Sequence, residues 1–311
     1  MYLLSQFAIP DNISEDSLEG MLRDQSCKAR LGITAFLEPL KNNSRNMMSD
    51  DAPPPKPAAT ILLLRDGNNG LEVFMVVRNH QIDFASGALV FPGGKADEQD
   101  FDEALIPFLT GHDANQDMRA AQVSAIREAF EECGILLATD MRTQQMINQE
   151  RLTELQSCSE PLNKGELTLH EFLENNNLAL SCESLTHFAH WITPPMMPKR
   201  FDTHFYVARA PEDQLAMHDG YESVDSVWIT PKDAIDQEKE GKRTIIFPTL
   251  RNIEKLGEAA SVSDAISRSK REEVIPVLPW TEKREDGNYL CIPPEAGYAI
   301  SEEKMPDRQS K

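Results

Sequence analysis

Three carboxylates stand where a helix would gather them. Glu128, Glu131 and Glu132 are spaced i, i+3 and i+4, and at about 100° per residue they share one helix face. Like charges at that spacing repel, each pair costing roughly 0.2–0.5 kcal/mol. A divalent ion that prefers hard oxygens, Mg2+ or Mn2+, would turn the repulsion into attraction. The competing reading is a solvated acidic face, the usual meaning of a charge run. A second reactive stretch lies upstream: Phe91-Pro92-Gly93-Gly94-Lys95, a turn that neither a helix interior nor a central strand accommodates.

These residues need a frame. Residues 59–64 form a β-type apolar run, and Asp66-Gly67-Asn68-Asn69-Gly70 is a strong turn signal. Residues 71–77 give the returning strand of a hairpin, and residues 88–91 a short strand feeding the glycine turn. The acidic stretch 127–135 reads as a short helix stopped by Gly134. Residues 140–190 read as amphipathic helix, with the insert proper placed at about 141–190. Residues 200–208 alternate as a strand, Phe201, Thr203, Phe205 and Val207 against Asp202, His204, Tyr206 and Ala208. Residues 222–230 give another strand. Pro231 opens a helix at its first position, and Phe247-Pro248-Thr249 opens one running to about residue 256. Strands mixed with helices predict an α/β/α sandwich around a mixed β-sheet, with a helical insertion.

Residues 1–57 differ from the rest. They end in the linker tract Ala52-Pro53-Pro54-Pro55-Lys56-Pro57. They are expected to be an N-terminal extension, either a mobile arm or the product of a start placed before Met48. Residues 58–256 are the expected domain and residues 257–311 a C-terminal extension.

Composition narrows the function. With 51 acidic against 31 basic residues the net charge is −20, which argues against a general nucleic-acid or membrane-surface binder. No apolar run approaches the roughly 18–20 residues of a membrane span, and no secretory leader is visible. The five cysteines are scattered without a Cys-x-x-Cys, which predicts reduced thiols in a cytoplasm. His80, His187, His190 and His204 show no metal-ligand spacing and read as core or surface residues.

The glycine turn followed by Arg127-Glu128-Ala129-Phe130-Glu131-Glu132-Cys133-Gly134-Ile135 resembles the Nudix box, the signature of the Nudix hydrolase family. Gly94 matches its first glycine and Asp100 stands where the family has its first glutamate. Ala129 replaces a bulkier aliphatic. Between Asp100 and Arg127 lie 26 residues, where the family has seven. The insertion, 101 to about 120, reads as an excursion from the loop before the helix, cheap in closure entropy at about 0.6 kcal/mol per doubling of length.

The resemblance implies a metal-dependent attack of water on a diphosphate linkage. By position it implies Glu128, Glu132, Glu131 and the Gly94 carbonyl as metal ligands. It implies Arg127 as the residue holding the carboxylates. The general base stays open between a box glutamate, Glu131 or Glu128, and an acid of a later loop, Glu222 or Asp225. Substrate contacts are expected from Arg78, Lys95, Gly93, Lys199 and Arg200.

Arg78, Gly87 and the Phe91–Gly94 run also fall at the intervals of the CoA-cleaving Nudix branch, with Asn79 for its serine and Asp83 reversing the charge of its second arginine. The interrupted box, Trp191-Ile192-Thr193-Pro194 and Arg200-Phe201-Asp202-Thr203 resemble the peroxisomal CoA diphosphatases. The expected substrate is therefore CoA or acyl-CoA. The alternatives are another nucleoside diphosphate derivative (NADH, ADP-ribose, a nucleotide sugar), a catalytically silent binding module, or an interaction protein. The final Gln309-Ser310-Lys311 lacks a peroxisomal terminal leucine, so a cytoplasmic enzyme, bacterial, is expected. Oligomeric state stays open.

Overall fold

A computed structural model of the chain describes residues 52–78, 87–212, 214 and 223–305. The proposed start at Met48 and Glu222 lie outside them. The expected hairpin is formed by β1 (Lys56–Gly67) and β2 (Gly70–Arg78), paired up to Gly67 opposite Gly70. β3 (Leu89–Val90) pairs with β2 and β4 (Gly93–Lys95) with β1. Thus the glycine turn is itself a strand of the sheet.

β5 (Leu109–Thr110) leads to α1 (Gln116–Cys133) and β6 (Ala138–Asp140). The insertion is not a plain loop. It carries short 3-10 turns and β5, and its last residues belong to the box helix, which has 18 residues rather than the short run expected. Asn115 starts α1 by accepting from the amides of Asp117 and Met118. Gly134, at φ 64°, ends it in the left-handed conformation.

Next come α2 (Gln149–Leu155), α3 (Ser159–Asn163), α4 (Leu169–Asn176), β7 (Leu178–Ser181) and β8 (Thr186–Ile192). The helical insert therefore ends at residue 176, and residues 178–190, expected as helix, are mostly strand. In β8 the cause is a bulge between His187 and Ala189. It breaks the two-residue alternation that marks a strand in sequence.

β9 (Phe201–Arg209) and β10 (Ser223–Ile229) are as expected, followed by α5 (Pro231–Lys239), α6 (Phe247–Leu256) and α7 (Val262–Arg271). β11 (Pro276–Val277), β12 (Trp280–Arg284), β13 (Gly287–Cys291) and β14 (Glu302–Lys304) complete the described chain.

The main sheet has eight strands in the order β10-β2-β1-β9-β8-β11, with β3 and β4 off that path. It is mixed: β1 runs parallel to β9 and β11 to β8, the other pairs antiparallel. Two apolar clusters cover its faces. One packs Ile61, Leu63, Phe74 and Tyr206 with Ile126, Ala129 and Phe130 of α1. The other packs Leu62, Val73, Phe205 and Val207 with Phe247, Leu250 and Ile253 of α6 and Val262 of α7. An α/β/α sandwich results.

Residues 257–305 are not an appendage. Val277, Leu290, Ile292, Tyr298 and Met305 are buried in the second cluster, so the folded unit extends well past residue 256. A hydrogen-bond chain runs from Trp191 Nε1 to the Tyr298 hydroxyl at 2.8 Å and on to Asn252 Oδ1 at 2.7 Å.

Candidate active site

The site forms where β4 passes under the C-terminal half of α1. From Arg119 to Cys133 every residue except Gln122 is buried. The three glutamates are 7–9% exposed, so the solvated acidic face is excluded. Buried like charges need compensation, and Arg127 supplies part of it.

The Arg127 guanidinium donates from Nε and Nη2 to the two Asp100 oxygens, both at 3.0 Å. Its Nη1 reaches Glu131 Oε2 at 3.0 Å and Glu128 Oε1 at 2.9 Å. Nη2 also donates to the Lys95 carbonyl at 3.2 Å. This fork joins both halves of the motif across the insertion, and its geometry suits arginine rather than lysine. Asp100 is itself fixed by the Asp97 amide at 2.9 Å.

Gly93 and Gly94 face the glutamates at close range. The Gly93 amide donates to Glu132 Oε2 at 3.0 Å. A Cβ on Gly94 would lie 2.6 Å from Glu128 Oε2, so a side chain there would displace that carboxylate.

One arginine facing Asp100, Glu128 and Glu131 leaves net negative charge in a buried place. Burial, then repulsion from Glu131, raises the Glu128 carboxyl to about 7 against the opposing pull of Arg127. Burial and then the charge of Asp100 raise Glu131 to about 7. Asp100 is also raised, by burial. Glu131 Oε1 is buried and has no hydrogen-bond partner. An orphaned carboxylate oxygen in an all-oxygen, electron-rich cluster fits a hard divalent cation.

Beside the turn, on the opposite sheet face, opens a pocket of about 920 Å³ that includes open solvent. Gly93, Phe91, Thr60, Trp191, Pro194, Phe201, Phe205, Pro248 and Lys199 line it.

The structure thus brings Gly93, Gly94, Arg127, Glu128, Glu131 and Glu132 together. Lys95 contributes its carbonyl, and its side chain is exposed. Arg200 does not line the pocket. Its guanidinium donates to the Thr193 carbonyl at 3.0 Å and the Pro53 carbonyl at 2.7 Å. Arg78 ends β2, opposite Ser223 of β10, and its side chain lies outside the described residues. Asp225 is exposed beside Arg243 at 3.7 Å. The motif match at Asp100 assigns it no role; only the folded chain shows that its carboxylate grips Arg127.

The chain is similar to known Nudix proteins. The family profile described as the NUDT19 Nudix domain matches residues 112–256. That range holds the second half of the motif, while Gly94 and Asp100 precede it. A Xenopus laevis protein named acyl-coenzyme A diphosphatase NUDT19 is 21% identical over 292 residues, covering 79% of this chain and 76% of its own. The crystal structure of a Nudix hydrolase from Alicyclobacillus acidocaldarius superposes with a TM-score of 0.57 at 26% identity. It covers 69% of this chain and 96% of its own.

Proposed function

The chain is a Nudix hydrolase resembling the CoA diphosphatase branch, and from that premise we propose that it cleaves the diphosphate of CoA or acyl-CoA. The products would be 3′,5′-ADP and 4′-phosphopantetheine or its acyl form. The pocket carries this reading. The Gly93-Gly94 turn touches the glutamates on one side and, on the other sheet face, borders a space walled by Phe91, Trp191, Phe201 and Phe205, with Lys199 as its cation. An apolar wall with one local base suits a long pantetheine or thioester arm better than a second sugar ring.

In this reading Glu128, Glu132 and the Gly94 carbonyl hold Mg2+ or Mn2+. The ion, when bound, screens the diphosphate oxygens and lowers the proton affinity of water. Arg127 keeps Glu128 and Glu131 in place, and the Gly93 amide aims Glu132. Glu131 has a free buried oxygen and a proton affinity near neutrality, which suits taking the proton of the attacking water. Phe201 and Trp191 exclude solvent from the arm of the substrate.

Hydrolysis of CoA, an acyl-CoA, dephospho-CoA, NADH and ADP-ribose at equal concentration, with Mg2+ or Mn2+, tests the proposal. The highest kcat/KM is expected for CoA or acyl-CoA. Turnover of NADH or ADP-ribose with CoA left intact would reject the substrate and leave the diphosphatase standing.

A further inference from the structure

The sheet face that carries the glutamates has a second cluster, on β8 and β9. His204 lies directly opposite His190, and their rings stack at 4.1 Å with an 18° tilt. His190 Nε2 bonds Asp202 Oδ1. His204 Nδ1 bonds His187 Nε2 at 3.0 Å. One donor atom each from His190, Asp202 and His204 lies within 4.8 Å of the others, and among the described residues no other trio of His, Cys, Asp or Glu does so.

The bulge explains why these residues meet. His187 and His190 are three apart, so a regular strand would place them on opposite faces. The extra residue between His187 and Ala189 shifts the phase, while Phe188 and Ala189 both enter the cluster on the far side of the sheet. His187 therefore faces Tyr206 and His204, with ring centroids 5.3 and 5.0 Å away. Bulges that re-aim side chains are concentrated beside functional sites.

We propose that His190, Asp202 and His204 form a second metal site, for a transition ion of the Zn2+ class, with His187 as the outer partner that holds the His204 ring. Two imidazoles and one carboxylate with a position left open are a donor set for Zn2+ or Co2+, not for Mg2+. The bond from a second side chain to the far nitrogen of a ligating histidine is the usual way its ring is fixed.

Asp202 and His190 remain partly open, at 36% and 15% side-chain exposure, which leaves an entry path. The site is separate from the glutamates. Gly94 pairs with Ala59 and Ala59 with His204, two strand spacings or roughly 10 Å. Trp191, Phe201 and Thr203 alternate with the ligands on the same strands and line the substrate pocket on the opposite face. The ion would therefore clamp the two strands that form the pocket wall.

The test uses the full chain, stripped with a chelator and held in excess Mg2+ to occupy the carboxylates. Zn2+ is titrated by calorimetry, and Co2+ is followed by its visible spectrum. One tight equivalent is expected, and it survives in Glu128→Gln/Glu132→Gln. His190→Gln/His204→Gln should weaken it at least 100-fold, and His187→Phe by about 10–100-fold. Thermal unfolding of each metal-free variant checks folding, and Asp202→Asn gives the same reading at a half-buried position if the histidine pair does not fold. No tight equivalent, or one lost with the glutamates and kept without the histidines, overturns the site. The outcome does not depend on whether CoA is the substrate.

Discussion

Asp100 and Arg127 grip each other through two hydrogen bonds of 3.0 Å, 27 positions apart and fully inside the protein. Removing one partner of a buried pair costs about 3–5 kcal/mol, because the other charge is left uncompensated. Arg127 keeps Glu128 and Glu131, so Asp100→Asn should fall at or below the lower end of that range. Urea unfolding measures the loss. If Asp100 positions the glutamates, kcat falls while KM changes little; an unchanged kcat would make the pair purely structural.

Glu128→Gln and Glu132→Gln each take a charge from the cation site without changing its shape. Each should lower kcat by about 100-fold or more at saturating metal, the scale on which single electrostatic contacts act in catalysis. In chelator the variants should unfold at or slightly above the parent's temperature, since repulsion is relieved. Near-parental turnover in both would move the cation elsewhere.

Glu128 and Glu131, each raised to about 7, set a pH dependence in the metal-free protein. A carboxyl raised on folding keeps a proton that the unfolded chain gives up. Stability from this source falls as pH climbs from about 4.5 to 7, by up to about 1.4 kcal/mol per unit for each group. His187 and His204, lowered to about 4, act in the opposite sense, raising stability between about pH 4 and 6.5. The two trends oppose each other in the parent. The difference between parent and Glu128→Gln/Glu131→Gln isolates the first, and denaturant titrations in chelator should show it declining from pH 5 to 7.

Lys199 and Arg200 are neighbours with different work. Lys199 lines the pocket, so Lys199→Ala should raise KM for CoA about tenfold with kcat little changed. The Arg200 guanidinium is bonded to two backbone carbonyls. Arg200→Ala should cost about 1–3 kcal/mol of stability and leave KM near the parent's. A reversed pattern in steady-state kinetics would reassign the substrate contact to Arg200.

The parts of the fold legible in sequence were those with unbroken local signals. The hairpin at Asn69-Gly70, the alternation of β9 and Pro231 at the start of α5 all follow from near-neighbour geometry. β8 reads as helix in the sequence because its bulge cancels the alternation. The C-terminal region reads as separate because β11 and β14 are short and the burial of Val277, Leu290, Ile292 and Tyr298 comes from distant partners. At the site, the glutamate spacing was readable, but its tie to Asp100 exists only in three dimensions. The histidine cluster was invisible for the same reason: His187 and His190 have strand phases that only the bulge reconciles.

The Trp191–Tyr298 hydrogen bond has a consequence for synthesis. The two residues are 107 positions apart, and Tyr298 also closes on Asn252. A ribosome that has already delivered the glycine turn, the glutamates and both pocket strands still holds back the residue that buttresses the pocket wall. The nascent chain can therefore build its charged centre early, yet the aromatic side of the pocket is secured only once Tyr298, 107 positions beyond Trp191, has been made.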